Sequence, residues 1–430
     1  MELIIYSLNK VPSFIWLLLG AIVMVRIAFK FWMHYIRQNF ISGIDYVLLE
    51  VIPPRDVLRN PLAMELFLTN SLYHHSAKGG REEYWQGAVH FWHSLEIVSI
   101  EGQVHFYVRI PTRLQHLVET QMYAQYPQAQ VRVAEDYTMA VDEVSEHSSW
   151  NAWGCEFVLA KPDAYPIKTY IDYKLDKDPD EEQKIDPISP LIELFAALGK
   201  GEQYWLQIVV RPAMVKYHTH GTWFGHHDWT HQAELELDKI AEPYTKIEVL
   251  PSGQVLKSGR TPDHLKPFLD GIGRKIQKIG FDTGIRAMYI AKKENYSLNN
   301  RRNLRLIFRQ YANPYLNSFK RVNGTQADAG ESANSWFPLS SKKVMKLADR
   351  MLHEYRERGF FHLPLRHEIV SILPWPISPY IFMKYLHPHT SVLNVEELAT
   401  IWHFPGQILK VPTLERIESK EAAPPTNLPG

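Results

Sequence analysis

The pattern that most constrains the fold is an alternation of strand-like and helix-like segments between Asp45 and Tyr137. Short apolar or alternating runs indicate strands, and apolar residues three or four apart indicate helices. In chain order the segments are DYVLLEVIPP, NPLAMELFLTNSLY, SLEIVSIEG, QVHFYVRIP, TRLQHLVETQMYAQYP and AQVRVAEDY. The order strand, helix, strand, strand, helix, strand is that of the ferredoxin-like fold. It predicts a first ferredoxin-like domain over residues 41–150.

Two local signals refine this prediction. The pair Glu101-Gly102 between two strand-like runs indicates a β-hairpin. Pro61 suits the first position of a helix, and we expect the apolar side of this helix to carry Leu62, Leu66, Leu72 and Tyr73.

A second set of segments repeats the same order over residues 151–340. These segments are YPIKTYIDY, SPLIELFAALGKG, EQYWLQIVVRP, TGIRAMYIAKKE, NNRRNLRLIFRQYAN and LNSFKRV. A helical insertion at about 212–282 interrupts the repeat. We therefore predict an α+β protein with two ferredoxin-like (βαββαβ) units, a C-terminal helical region at 341–410 and a proline-rich, extended linker tail at 411–430.

The N-terminus contains the apolar run VPSFIWLLLGAIVMV at residues 11–25. A bilayer span needs about 20 mainly apolar residues. Because Arg26, Lys30 and Arg37 follow the run, the positive-inside rule predicts a single-pass transmembrane helix in a membrane anchor over residues 1–40, with the bulk of the chain cytoplasmic. A cleaved signal peptide and a buried core helix are the alternatives. The predicted anchor residues are Phe14, Ile15, Trp16, Leu17, Leu18, Leu19, Ile22, Val23, Met24 and Val25.

Composition and motifs argue against several functions. Lys plus Arg and Asp plus Glu both total 47, so no overall charge favours nucleic acid. Cys155 is the single cysteine, which excludes an intramolecular disulfide and a multi-cysteine metal site. The sequence has no GxxxxGK[ST], GxSxG or HExxH motif. We therefore predict a non-enzymatic protein without a cofactor.

One histidine-rich stretch, KYHTHGTWFGHHDWTH, provides the alternative of a membrane-anchored, metal-dependent enzyme. Histidines four residues apart on a helix can chelate a metal, and the spacing of His227 and His231 meets this condition. The stretch lacks carboxylates that would orient such ligands, so a polar loop is the preferred interpretation. The weak candidate ligands are His218, His220, His226, His227 and His231.

Two basic helical segments, NNRRNLRLIFRQ and SSKKVMKLADR, are candidates for contacts with phosphate groups or acidic lipid headgroups. An ordinary solvated face is the preferred interpretation, and a nucleic-acid-binding adaptor is a further alternative. The candidate residues are Arg301, Arg302, Arg305, Arg309, Lys342 and Lys343.

Several segments in the same order resemble a known family. They are SLEIVSIEGQVHFYVRIP, VETQMYAQYPQAQVRVAEDY, GEQYWLQIVVRP, GIRAMYIAKKE, NVEELATIWHFP and APPTNLPG. Together they resemble the membrane-anchored N-terminal region, an uncharacterised domain, that precedes HerA/FtsK-type ATPases such as type IV secretion coupling proteins.

The resemblance implies that the proline-rich tail leads to an ATPase domain, fused or separate, although the Walker A motif of that domain is not in this sequence. It implies a single-pass component that tethers or assembles a DNA- or protein-translocating ATPase in a type IV secretion or conjugation-like system. Homo-oligomerisation is expected, because such machines are rings.

Overall fold

The structure is a computed structural model that describes residues 13–54, 59–74, 80–176, 185–213, 217–218, 226–244, 246–249, 255–258, 262–325, 341–362 and 389–406. Within the chain, two compact units are distinguished. The small unit comprises Met1–Asp45, Ser76–Phe91 and Phe361–His387, and the large unit comprises Tyr46–His75, Trp92–Phe360 and Pro388–Gly430.

The elements follow one another with short connections in much of the chain. The described helices are α1 (Ser13–Ser42), α2 (Pro61–Leu72), α3 (Gly80–Trp85), α4 (Gln115–Gln125), α5 (Ser189–Ala196), α6 (Trp229–Ala241), α7 (Lys266–Ile276), α8 (Leu298–Leu304), α9 (Ser341–Glu357) and α10 (Val395–Ile401). The described strands are β1 (Tyr46–Ile52), β2 (His93–Ile100), β3 (Gln103–Pro111), β4 (Gln130–Val133), β5 (Trp150–Leu159), β6 (Glu202–Pro212), β7 (Tyr217–His218), β8 (His226–His227), β9 (Lys246–Val249), β10 (Val255–Ser258), β11 (Gly280–Lys292), β12 (Phe319–Val322) and β13 (Ser391–Asn394). Single 3₁₀ turns occur at Thr112–Leu114, Tyr137–Ala140, Glu242–Tyr244 and Arg309–Tyr311.

The small unit packs α3 against α1 through aromatic side chains. Trp32 donates its Nε1–H to the carbonyl of Tyr84 at 3.3 Å, and its ring meets Trp85 edge-on. Gly87 has a φ of +68°, and a Cβ there would clash with the backbone of Ile36. Only glycine therefore fits at this close approach.

The large unit is built on a sheet that contains nine of the described strands. Their order is β12-β5-β11-β6-β2-β3-β1-β4, with β13 pairing with the start of β11, and every pair is antiparallel. The predicted hairpin at Glu101-Gly102 is confirmed, and both residues have positive φ angles. The pairs β7–β8 and β9–β10 form two small separate ribbons.

The predicted fold class is wrong, because the strands assigned to two ferredoxin-like units form one continuous sheet. β2 and β6 pair along their length, from His93 opposite Val210 to Ile100 opposite Gln203. Both strands are buried along almost their whole length, so pairing them removes two edges that would otherwise carry unpaired backbone groups.

The two faces of the sheet are covered by different elements. On the first face α2, α4, α5 and α10 pack over the largest apolar core, which includes the single cysteine, Cys155. On the second face α9 buries Ala348, Met351, Leu352 and Tyr355. Their spacing of three and four residues gives α9 a single apolar stripe, as expected for a helix that packs on a sheet.

The predicted transmembrane helix is also corrected. Residues 13–42 do form a helix, but within the described part of the chain no helix has the length and apolar character needed to cross a membrane. Arg26 and Lys30 interrupt the apolar stretch of α1 within one turn of each other.

One predicted strand is in the wrong place. The segment YPIKTYIDY forms turns, and the strand that begins this half of the sheet is β5, WNAWGCEFVL. Gly154 in β5 is needed because a Cβ at this position would clash with the Met351 side chain of α9. A glycine, a cysteine and a glutamate in succession weaken the strand pattern in the sequence.

Candidate functional site

A row of polar residues crosses the second face of the sheet, one residue in register from each of seven neighbouring strands. We call this set the polar row. Its neighbouring members pair directly across adjacent strands. In order they are Arg132, Glu50, Tyr107, Glu96, Gln207, Arg286 and Glu156. Glu96, Gln207 and Arg286 are completely buried.

Glu96 lies at the centre of the polar row and is held by Arg358, which follows α9. Arg358 donates from Nε to Glu96 Oε1 at 3.0 Å and from Nη2 to Oε2 at 3.3 Å. The same guanidinium binds both oxygens of Asp136. Tyr137 and Ser94 donate further hydrogen bonds to Glu96, at 2.7 and 2.6 Å. Burial alone would raise the pKa of Glu96, but the charge and hydrogen bonds of Arg358 hold it below its usual range.

The backbone of Arg358 adopts a strained conformation at this ion pair. Its φ is +52°, a left-handed conformation that glycine usually occupies at the end of a helix. A non-glycine residue there costs about 1–2 kcal/mol. The contacts of the Arg358 guanidinium with Glu96 and Asp136 compensate for that strain.

A second ion-pair cluster lies two strands away in the polar row. Arg286 Nη2 lies 2.8 Å from Glu156 Oε1 and 3.2 Å from Glu354 Oε2 of α9. The Phe360 ring covers the Arg286 guanidinium, with 4.3 Å between the ring centroid and Cζ. The charges of the polar row therefore fix the position of α9 on the sheet.

On the first face, the segment Ser391–Gly406, here called the C-terminal segment, is held by buried charges of α7. Lys275 Nζ lies 3.0 Å from Glu397 Oε2, and neither side chain is exposed. Glu397 also completes a capping box with Asn394 at the start of α10. Burial, the largest influence, raises the pKa of Glu397 despite the nearby Lys275.

Glu396, the preceding residue, binds a further group of cations. Arg274 Nε and Lys278 Nζ lie 3.2 and 3.0 Å from its carboxylate oxygens. Lys278 also binds Glu65 of α2 at 2.8 Å. These contacts connect α2, α7 and α10, so the C-terminal segment is an integral part of the core.

The last described residue, Gly406, is held by Asp186. Gly406 donates its N–H to Asp186 Oδ2 at 3.2 Å, while His403 Nε2 lies 2.9 Å from Oδ1. His403 Nδ1 lies 2.9 Å from the Ala399 carbonyl, so both ring nitrogens face an acceptor oxygen. Burial would raise the pKa of Asp186, but the charge of His403 lowers it below its usual value.

Asp186 also accepts the N–H of Ile188 at 3.0 Å, directly before α5. Between α5 and the segment after α8 lies an open, mainly apolar groove of about 230 Å³. We call it the α5–α8 groove. It is lined by Pro190, Leu191, Leu194, Asn303, Leu306, Ile307 and Gln310. Leu306 is 49% exposed there and forms part of the apolar lining.

The histidine-rich stretch is only partly described. The backbones of β7 and β8 place His218 opposite His226 and Tyr217 opposite His227. His220 lies outside the described residues. His231 lies on α6, where its exposed side chain is 3.5 Å from Glu234. Within the described ranges, no group of three or more His, Cys, Asp or Glu side chains is arranged to hold a metal ion.

The predicted phosphate- or lipid-contacting residues do not form one basic surface. Arg302, Arg309, Lys342 and Lys343 are exposed. Arg305, in contrast, lies over the Trp153 ring at 5.0 Å. Arg301 binds Tyr296, whose pKa is raised mainly by burial and lowered in part by Arg301. The α8 segment packs on the first face and α9 on the second, so the two groups of cations are on opposite faces.

Helix α9 and the sheet, except for β13 and the first two residues of β1, lie in a region that matches a recognised family. The sequence matches the family described as "Domain of unknown function (DUF8128)" over residues 48–360. The match covers more than half of the chain. The chain belongs to this family. The DUF8128 region ends at Phe360, whose ring covers Arg286 of the polar row. No curated protein matches the sequence.

The sequence analysis predicts neither the polar row nor the charged anchors of the C-terminal segment. Polar residues within apolar stretches of the strands were the available signal. Glu96, Gln207 and Arg286 each have an apolar residue on both sides in the sequence. A charged residue in such a place needs a buried partner. The sequence does not show which distant residue supplies it, and Arg358 lies 262 residues from Glu96.

Proposed function

We propose that this DUF8128 protein is a non-enzymatic docking protein that tethers a DNA- or protein-translocating ATPase at the cell membrane. The observation that carries the proposal is the fixed position of Gly406. Asp186 and the ion pairs of Glu396 and Glu397 hold the C-terminal segment in the core. The residues that follow, 407–430, include the tail that resembles the lead-in to a motor domain. A partner joined to that tail would start from a defined point.

The state of the buried charges supports a structural role for the polar row. Both oxygens of Glu96 accept hydrogen bonds from Arg358, and Asp136 binds the same guanidinium. Charges that neutralise each other in this way hold elements in place, whereas catalytic groups must face a substrate. The result is a rigid sheet with α9 fixed to it.

The α5–α8 groove is the surface that we assign to the ATPase. Asp186 joins the start of α5 to Gly406, so a partner that follows the tail emerges beside this groove. The exposed Leu306 and the apolar walls fit one or two large apolar side chains of the partner. Arg309, three residues after Leu306 on the 3₁₀-type segment, adds a cation for an acidic residue next to them.

Location at a membrane is proposed from the exposed residues of α1. Leu17, Leu18, Met24 and Val25 are each more than half exposed. Exposed aliphatic side chains followed by basic and aromatic residues suit contact with anionic lipid. Flotation of the full chain with anionic vesicles tests this location, and we expect Leu18→Glu to reduce it while Glu193→Gln does not.

The docking function is tested by removing the tail. Wild-type protein and a variant lacking residues 407–430 are expressed with an affinity tag in the native cell, crosslinked and purified. We expect a Walker A protein with ATPase activity to co-purify with the wild type and to be lost from the variant. Recovery of no ATPase, or equal recovery with both proteins, would refute the proposal. Thermal unfolding of both proteins checks that the deletion leaves the core folded.

A further inference from the structure

Aromatic side chains of α1 and α3 form an exposed group in the small unit. Its members are Phe29, Trp32, Tyr84 and Trp85, here called the aromatic cluster. The ring centroids of Phe29 and Tyr84 are 6.2 Å apart, and those of Trp32 and Trp85 are 6.4 Å apart. All four side chains are at least 45% exposed, and Trp85 is 71% exposed. An exposed apolar patch of this kind marks a contact with another surface.

Contacts within the small unit hold the aromatic cluster in place. Trp32 donates its Nε1–H to the carbonyl of Tyr84 at 3.3 Å, which joins α1 to α3. One position before Tyr84, Glu83 Oε1 lies 3.6 Å from Arg37 Nη2 of α1. Because the N–H of Trp32 already has an acceptor within the protein, its ring can leave water without losing a hydrogen bond.

The order of side chains along α1 matches the change from acyl chains to headgroups in a bilayer. Exposed aliphatic residues, among them Leu18 and Val25, come first, and the exposed cation Arg26 follows directly. Trp32 lies seven residues beyond Val25, which is about 10 Å along the helix axis. Trp and Tyr side chains concentrate at the headgroup level of membranes. The contact between α1 and α3 places two further rings at this level.

Charge favours an anionic lipid surface as the partner of the aromatic cluster. Helix α1 contains three basic residues and no acidic residue. In α3, Glu83 lies beside Arg37, and the exposed Arg81 and Glu82 have opposite charges. An apolar helix with cations next to aromatic rings has the composition of segments that bind the interface of anionic membranes.

We propose that the aromatic cluster is an interfacial anchor, in which Tyr84 and Trp85 of α3 enter the headgroup region of an anionic bilayer beside Trp32 and Phe29 of α1. This inference rests on the proposed location of α1 at a membrane and adds α3 as a second point of contact. Two contacts that are fixed to each other by the Trp32–Tyr84 hydrogen bond define the orientation of the small unit on the bilayer.

The experiment is flotation of the full chain with vesicles of phosphatidylglycerol and phosphatidylcholine in equal parts, and with vesicles of phosphatidylcholine alone. We expect Trp85→Ser to weaken binding to the mixed vesicles by about three- to tenfold, because burial of apolar surface drives the contact. Tyr315→Ser is the matched control, since Tyr315 is an exposed aromatic residue of the large unit, and it should bind like the wild type. Binding of the wild type to phosphatidylcholine alone should be weaker.

A fluorescent label that responds to the polarity of its surroundings tests the position of α3 directly. Cys155 is completely buried, so a cysteine introduced at the exposed Gln86, next to Trp85, can be labelled selectively. We expect the emission of the label at Gln86→Cys to shift to shorter wavelength when mixed vesicles are added. A label at Lys342→Cys on α9 is the control and should not shift.

The outcomes separate this inference from the proposed location of α1. Equal binding of Trp85→Ser and the wild type, no shift at Gln86→Cys, or an equal shift at Lys342→Cys would overturn the anchor, while Leu18→Glu still tests α1. No vesicle binding by the wild type would overturn both. Self-association without vesicles that is lost in Trp85→Ser, measured by sedimentation, would assign the cluster to a second copy of the chain and overturn the lipid assignment.

Discussion

The Glu96 carboxylate lies at the centre of the sheet and is completely buried. Its ion pair with Arg358 offsets the free-energy cost of burying the charge. Removing one partner of a buried ion pair leaves an uncompensated charge and costs about 3–5 kcal/mol. We predict that Glu96→Gln lowers the free energy of unfolding by that amount in urea titration. Glu193→Gln, on the exposed side of α5, should change it by less than about 0.5 kcal/mol. Equal stability of the two variants would refute the central role of Glu96.

Lys275 and Glu397 form the equivalent pair under the C-terminal segment. Lys275→Met should destabilise the protein by about 3–5 kcal/mol, because Glu397 would be left buried without its cation. Adding Glu397→Gln to Lys275→Met should recover part of this loss, since no charge then remains unpaired. A double-mutant cycle from urea titrations measures the coupling. A coupling energy near zero would show that the pair does not hold the segment.

Asp186 gives the segment a dependence on pH. Its pKa is lower in the folded protein than in the unfolded chain, whose value is near 3.8, so its contribution is present above that pH. The contribution is lost as the pH falls through the lower, folded pKa. We predict that Asp186→Asn destabilises the protein at pH 7 by about 1–2 kcal/mol, with a smaller difference from wild type below pH 4. A difference that does not change with pH would contradict the Asp186–His403 contact.

At the scale of elements, helix α9 can pack on β5 only because one position of that strand, Gly154, has no side chain. Gly154 of β5 leaves room for Met351, and a Cβ there would clash with its sulfur. We predict that Gly154→Val forces α9 away from the sheet and costs about 1–3 kcal/mol or more. Hydrogen exchange should rise over residues 341–360 and remain slow in β2 and β6. Unchanged exchange in α9 would show that the helix is held by other contacts.

The comparison of α2 with its prediction shows what the sequence could determine. The helix and its proline start are predicted correctly, because Pro61 and the apolar spacing are local signals. The buried side was predicted only in part: Leu72 is fully buried and Tyr73 packs against the core, whereas Leu62 and Leu66 are 43% and 44% exposed. α2 is apolar on almost every side, so its pattern alone does not identify the face that meets α10 and the sheet.

The strands and the site show the same difference between local sequence signals, which are readable, and long-range contacts, which are not. Segments with strong local patterns, such as those of β6 and β11, were located correctly. β5 was missed because Gly154 and Glu156 serve the α9 interface and weaken its strand pattern. The polar row and the anchors of the C-terminal segment could not be predicted as sites. Each is completed by residues more than a hundred positions away, as with Lys275 and the Val392 carbonyl.

At the scale of the whole molecule, the pairing of β2 with β6 joins strands from two halves of the chain in one sheet. The polar row crosses that pairing, from Glu96 to Gln207, and α9 covers it on the second face. The C-terminal segment occupies the first face and adds β13 to β11. The sheet therefore carries the α5–α8 groove and Gly406 on its first face and the polar row under α9 on its second face.

The central claim, that the α5–α8 groove receives an ATPase, is tested most directly by photo-crosslinking in the native cell. A photoreactive amino acid replaces Leu306 in the groove and, as the control, Lys342 on α9 at the opposite face. The account predicts that Leu306, and not Lys342, crosslinks to a protein that contains a Walker A motif and hydrolyses ATP. Crosslinks to such a protein from Lys342 alone, from both positions equally or from neither would contradict it.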